Sequence, residues 1–238
     1  MNRGQDEGKE REAARKLLLE LERRSFEVWD SPPNHHIDRI DPFKIVPSLL
    51  RAELYEPEEI PWPAGLPRNG NLPSRIAGYI DRKNNTIAVA RRFSQEVRRF
   101  TLAHEIGHWQ LHKGSVYFRD FPLIAGDRSF SQRPLVEREA NRFAEELLMP
   151  DDLVRAYFFQ VFGVETLRNR EPDEALAGWL SLGVKRRVTV AELIKKGRDW
   201  MAFLAAEHKN DPLDFSLAER FRVSTTAISI RLMRLHLV

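Results

Sequence analysis

The stretch RRFTLAHEIGHWQLH, residues 98–112, decides how this chain is read. Inside it stands His104-Glu105-Ile106-Gly107-His108. On a helix, residues four apart differ by about 40° in direction, so His104 and His108 lie one above the other on a single face. Two imidazoles so placed can bind one zinc. Glu105, next to His104 in sequence, then reaches a water on the metal instead of the metal itself and can act as general base. His112 is one further turn along nearly the same face. A fourth protein ligand would close the coordination position that a catalytic zinc leaves open, so His112 is assigned a structural or substrate-side role.

A catalytic zinc needs a third protein ligand, and LVEREANRFAEELLMP, residues 135–150, offers one. Val136, Ala140, Phe143, Ala144, Leu147 and Leu148 form the apolar stripe of an amphipathic helix. With Ala140 at zero, that stripe runs from roughly −60° to +80°, and Glu137 falls inside it at about +60°. An unpaired buried carboxylate is costly, and a metal beneath it removes the cost. By the same construction Glu139, near −100°, and Glu145 and Glu146 belong to the solvated face. Asn141, one turn beyond Glu137, is placed to hydrogen-bond a ligand from outside the coordination shell.

These paired motifs closely resemble the ImmA/IrrE family of zinc metallopeptidases. AGYIDRKNNTIAVA (77–90) looks like that family's β-hairpin and IDPFKIVPSLL (40–50) resembles its leading segment. The resemblance covers residues 38–150, and less sharply the tail FSLAERFRVSTTAISIRLMRL (215–235). It implies a gluzincin-like site with His104, His108 and Glu137 in the ligand positions, Glu105 in the catalytic position and Zn2+ as cofactor. It also implies a selective cytoplasmic endopeptidase that cuts a helix-turn-helix transcriptional repressor and so releases stress-response or mobile-element genes. The alternative is a DNA-binding regulator, or a repressor-binding scaffold, whose metal site is sensory or structural. Asn141 departs from the Asp often found at this place and would make a neutral, weaker partner for a ligand histidine. The segment 112–134 between the motif helices matches nothing that names a substrate.

The remaining sequence sets the frame. The 238 residues are 42% apolar and 31% charged, which is globular usage. There is no cysteine, which excludes disulfides, thiolate metal sites and thiol nucleophiles. A net charge of +3 does not call for a nucleic-acid partner. No apolar run approaches the ~20 residues of a membrane span, nor is there a signal-peptide core, so a cytoplasmic protein with no membrane partner is expected.

The expected fold is α+β: a mainly helical, zincin-like metallopeptidase domain with a small β-sheet packed on the motif helix, plus a C-terminal helical segment. An N-terminal helix is expected within residues 1–30, with Ala14, Leu17, Leu18 and Leu21 on its apolar face. The metallopeptidase core is expected at 31–160 and a helical region at 161–238. Residues 30–73 hold most of the prolines and read as connector, with one short helix near Phe43–Leu54; His35 and His36 there read as solvent-exposed. The segment 75–90 reads as a hairpin with Ile76, Ile80, Ile87 and Val89 inward, whose exposed strand could align an extended substrate.

Several further residues are candidates. Tyr117 and His208 could stabilise a peptide oxyanion. In 216–238, Ser216 and Glu219 have capping-box spacing, Ser224 can cap the next helix, and the pair resembles a helix-turn-helix. Thr225, Thr226, Ser229 and Arg231 would be its DNA or partner contacts, although Leu217, Phe221, Ile228, Leu232 and Leu235 equally suit a pair packed on a core. Two basic clusters, Arg91-Arg92 with Arg98-Arg99 and Lys185-Arg186-Arg187 with Lys195-Lys196, read as solvated faces or as steering charge for an acidic substrate segment.

Overall fold

A computed structural model of the chain describes residues 7–61, 76–113, 116–119, 134–209 and 215–238. It has two compact units, Met1–Leu148 and Met149–Val238. The division thus falls at 148/149, where the sequence suggested 160/161, and the N-terminal helix is part of the first unit.

The first unit opens with helix α1 (Glu7–Arg23), followed by the short helices α2 (Ser25–Val28), α3 (His36–Arg39) and α4 (Pro42–Ile45) and a π-helical turn at Val46–Leu50. Ala14, Leu17 and Leu21 of α1 are buried, as their spacing requires, and Leu18 is half-buried. His35 and His36 are exposed. Strands β1 (Glu53–Tyr55), β2 (Gly78–Asp81) and β3 (Thr86–Val89) precede the long helix α5 (Gln95–Leu111), strand β4 (Val116–Arg119) and helix α6 (Leu135–Leu148).

The sheet is four-stranded and mixed, in the order β1-β3-β2-β4, with β1 parallel to β3 and the other pairs antiparallel. β2 and β3 form the expected hairpin, with Asp81 opposite Thr86. At its turn the Asp81 carboxylate accepts from the Asn84 backbone N–H at 3.1 Å and its side-chain amide at 2.7 Å, and Asn85 takes a left-handed conformation, φ 54°. Ile76, Ile80, Ile87 and Val89 are fully buried. One expectation is corrected here: β2 is flanked by β3 and β4, and β3 by β1 and β2, so the hairpin presents no free edge. The outer strands of the sheet are β1 and β4. The start of the hairpin segment, Arg75, and residues 120–133 lie outside the described residues.

Two glycines let the layers close on one another. At Gly78 of β2, a Cβ would stand 2.7 Å from Thr101 Cγ2 and 3.1 Å from Glu105 Cγ, so α5 lies directly on the sheet there. At Gly107 of α5, a Cβ would stand 3.0 Å from the Ala140 carbonyl oxygen, 3.1 Å from Ala140 Cα and 3.1 Å from Phe143 Cβ. That absence of a side chain brings the α6 backbone against the histidine pair. α1 packs on α6 and α5 as well, so α6 is covered on two sides.

The second unit is helical: α7 (Asp151–Phe162), α8 (Glu174–Val184), α9 (Val190–Glu207), α10 (Leu217–Phe221) and α11 (Thr225–Arg234). Gly197 breaks α9 with φ 67° and ψ −158°, a backbone that side chains other than glycine's hydrogen avoid. The Ser216 hydroxyl accepts from the Glu219 N–H at 3.2 Å while the Glu219 carboxylate accepts from the Ser216 N–H at 2.8 Å, and Ser224 accepts from the Ala227 N–H at 3.2 Å. Leu217, Phe221, Ile228, Leu232 and Leu235 are all buried, and α10 and α11 pack against α9.

Candidate metal centre

α5 starts at Ser94, whose hydroxyl caps the Val97 N–H at 3.5 Å, and it carries His104, Glu105 and His108 on buried positions of its middle turns. The Nε2 atoms of His104 and His108 are 2.9 Å apart. Glu137, in the first turn of α6, brings one carboxylate oxygen to 3.2 Å from His104 Nε2 and the other to 3.3 Å from His108 Nε2. The one-face argument and the wheel position of Glu137 therefore describe residues that meet. The Glu137 side chain keeps 21% of its exposure, so the cluster is open to solvent on that side.

The outer nitrogens of both rings are fixed. His104 Nδ1 is 2.9 Å from Asn141 Oδ1, and an amide oxygen only accepts, so the proton is on Nδ1 and the Nε2 lone pair faces inward. On the second ring, His112 Nε2 is 2.7 Å from a Glu139 oxygen, so His112 donates there and its Nδ1 is an acceptor. That Nδ1 is 3.0 Å from His108 Nδ1, which must therefore donate, and the His108 Nε2 lone pair also faces inward.

Two lone pairs and a carboxylate thus converge, with all ligand atoms within 4.8 Å of one another. A metal cation would satisfy that arrangement. The donor separations fit a metal: a tetrahedral zinc with bonds of about 2.0–2.1 Å needs ligand atoms about 3.3–3.4 Å apart. Burial pushes the Glu137 carboxyl up, but with the two imidazoles protonated their hydrogen bonds and charge outweigh it and hold its pKa well below the usual carboxylate range, so the carboxylate stays ionised toward any cation in the cluster. Burial lowers the His112 pKa by more than the Glu139 contact raises it, which keeps that ring neutral as the relay requires.

Glu105 is fully buried beside the cluster, and Gly78 makes the room its side chain occupies. Arg82, in the hairpin turn, is a site-supporting residue that sequence reading passed over. Its guanidinium donates to the carbonyls of His108 at 3.1 Å, Trp109 at 2.5 Å and His112 at 2.6 Å, and lies 4.6 Å above the Trp109 ring. These carbonyls stand at the end of α5, where that of His108 also accepts the His112 N–H at 3.0 Å, and a cation there also opposes the helix dipole. The only available signal was a charged residue at a turn.

Other expected residues fall elsewhere. Glu139 and Glu145 are buried, contrary to the solvated face expected of them, because α1 covers that side of α6. His208 is 2% exposed within the second unit, its ring 5.2 Å from that of Phe162 and 4.7 Å from that of Trp179. So enclosed, it offers no donor to a substrate. Tyr117 lies in β4 opposite Ile80, and its side chain lies outside what the structure describes. Ser229 and Arg231 are buried, Ser229 donating to the Thr226 carbonyl at 2.9 Å and Arg231 to the Met149 carbonyl at 3.1 Å, so neither is presented to DNA. Thr225 and Thr226 are half-buried at the start of α11.

Part of each basic cluster is engaged. Arg92 pairs with Glu59 at 3.0 Å, Arg98 with Glu56, and Arg99 with Asp41 at 3.6 Å. In the second unit Arg186 and Lys196 both lie over Trp200. Arg91, Lys185, Arg187 and Lys195 are exposed.

Comparison with known proteins agrees with this geometry. Residues 73–175 match the model of a peptidase family described as the IrrE N-terminal-like domain. The uncharacterized immunity region protein 2 of Bacillus phage phi105 is 34% identical over 102 residues, 41% of this chain and 55% of that relative. The match thus spans about half the length of the curated relative. No solved structure matches. The matched segment contains the histidine pair, Glu105, Glu137 and Asn141, and over residues 73–175 the chain is similar to the IrrE N-terminal-like peptidase family.

Proposed function

We propose that this chain is a zinc-dependent endopeptidase that cleaves a specific regulatory protein in the cytoplasm. The observation that carries this is the convergence of His104, His108 and Glu137, with both imidazoles held as inward acceptors, beside a buried Glu105. Zinc held by these three residues would polarise the scissile carbonyl and make a water acidic enough to attack. Glu105 takes a proton from the attacking water as its oxygen bonds to the carbonyl carbon, then delivers it to the amine as the carbon–nitrogen bond breaks. His104 and His108 stay fixed through Asn141 and His112, and the open side at Glu137 admits the substrate. With the hairpin enclosed in the sheet, an extended substrate would pair with an outer strand, and β4, next to β2, is the nearer candidate.

The substrate proposed is a helix-turn-helix transcriptional repressor, whose cleavage would derepress mobile-element or stress-response genes. The phage immunity region named for the relative supports that setting. No helix among the described residues is long and apolar enough to cross a membrane. The alternative of a DNA-binding regulator, or of a scaffold that binds the repressor uncut, loses support from the burial of Ser229 and Arg231 and from an intact Glu105.

The test is metal analysis and cleavage of a repressor encoded beside this gene. Wild type should carry about one zinc and cut it; Glu137→Ala should lose both properties. Zinc retained by Glu137→Ala, or a repressor left whole by zinc-loaded wild type, would refute this reading.

A further inference from the structure

His112 and Glu139 have no part in the chemistry above, yet both are buried and aimed at the metal centre from behind. His112 is 8% exposed and Glu139 7%. The contacts run in one line: a Glu139 oxygen to His112 Nε2 at 2.7 Å, then His112 Nδ1 to His108 Nδ1 at 3.0 Å. The His112 and His108 rings are 5.0 Å apart, centroid to centroid. The other Glu139 oxygen is 3.9 Å from Lys9 Nζ on α1, so the line ends at the protein surface.

Each link has a single consistent proton. A carboxylate only accepts, so the His112 proton sits on Nε2 and its Nδ1 can only accept; His108 must then donate from Nδ1 and offer Nε2 to the metal. The negative charge at Glu139 polarises both rings in the direction that makes His108 Nε2 the better donor. His104 is supported differently, by the neutral amide of Asn141. The two ligand histidines are therefore unequally supported, and the charge missing behind His104 is present behind His108, one imidazole further out.

We propose that Glu139 and His112 form a positioning arm that fixes the ring orientation and tautomer of His108 and raises its affinity for zinc. His112 is thus a positioning residue and not a fourth ligand. This rests on the zinc reading given above, and its test separates the two.

Zinc affinity of the full chain is measured by competition with a chromophoric chelator, beside the visible spectrum of the cobalt-substituted protein and the melting of the metal-free protein. Wild type should bind. His112→Phe should bind at least about tenfold more weakly and shift the cobalt bands, the usual scale for removing a partner of a ligand histidine. Glu139→Leu should do the same, because His112 loses the acceptor that fixes its proton. Glu139→Gln, whose amide oxygen can still accept, should recover most of that loss. If His112→Phe fails to melt cooperatively without metal, the Glu139→Leu and Glu139→Gln comparison decides the matter. A wild type that binds zinc with all variants equal to it, and with an unchanged cobalt spectrum, overturns the arm. A wild type that binds no zinc overturns the metal reading and the arm with it.

Discussion

Replacing Gly107 by alanine sets two opposing effects against each other. Glycine inside a helix is worse than alanine by about 1 kcal/mol, so on propensity alone Gly107→Ala would stabilise α5. The new Cβ, however, meets the Ala140 carbonyl oxygen at 3.0 Å and Ala140 Cα at 3.1 Å. Both are backbone atoms of α6 and cannot rotate away, so α6 must withdraw by a few tenths of an ångström, and forced overpacking of this kind costs about 1–3 kcal/mol. The net effect is a loss of about 0–2 kcal/mol. The site should suffer more than the fold, because Glu137 and Asn141 sit on the segment displaced, and the Asn141 contact to His104 is only 2.9 Å long. Loss of such a partner weakens metal binding by about 10–100-fold. Gly178→Ala is the control: nothing lies within 4 Å of its Cβ position in α8, so it should gain up to about 1 kcal/mol. Urea denaturation of the metal-free proteins and chelator competition for zinc measure the two effects. If Gly107→Ala stabilises the protein as much as Gly178→Ala does and binds zinc like wild type, the close approach of α5 and α6 does not build the site.

Three other substitutions have expected outcomes. Glu105→Gln should bind zinc as wild type does yet cleave about 10²–10⁴-fold more slowly, since an amide cannot carry the proton; single-turnover cleavage with the metal content measured alongside checks this. Arg82→Met leaves three carbonyls at the end of α5 without the guanidinium, and should cost about 2 kcal/mol in urea denaturation. Burial pushes the His208 pKa from 6.5 down to about 4. A folded-state pKa below the unfolded one means that the unfolded chain takes the proton first, so stability falls as pH drops from about 6.5 towards 4, by about 2 kcal/mol at pH 5. His208→Phe should remove that part of the pH dependence, and equal loss in both proteins between pH 7 and pH 5 would show that the cost arises elsewhere.

What was legible in the sequence follows from which residues obey a single period. His104, His108 and Glu137 could be placed because each lies on one face of one helix, and the hairpin because its isoleucines alternate. Glu139 was misplaced since a helical wheel assumes one buried side, whereas α6 is packed by α5 on one face and α1 on another. The relay through His112 depends on both helices at once and has no one-dimensional signature. Arg82 illustrates the same limit: its partners lie 26 to 30 residues away, and nothing local marks a turn arginine as the cap of a distant helix. Ser229 and Arg231 read as surface residues because polar side chains usually are, yet each has a backbone carbonyl to bond, which makes burial tolerable.

The Arg82 contacts bear on how the centre is assembled. They tie the hairpin to the end of α5, and Gly78 seats the middle of that helix on β2, so two of the three candidate ligands belong to one stretch of about 35 residues closed by its own contacts. Glu137 arrives on a separate helix. A chain in which only the hairpin and α5 have come together holds a two-histidine half-site, and docking of α6 completes it. By thermodynamic reciprocity, whatever the ion gains from Glu137 is returned as attraction between α5 and α6. A metal bound there would be a clasp on the fold as well as an instrument of the proposed chemistry, and a chelator would loosen the packing of α6 at the same time as it stopped the proposed cleavage.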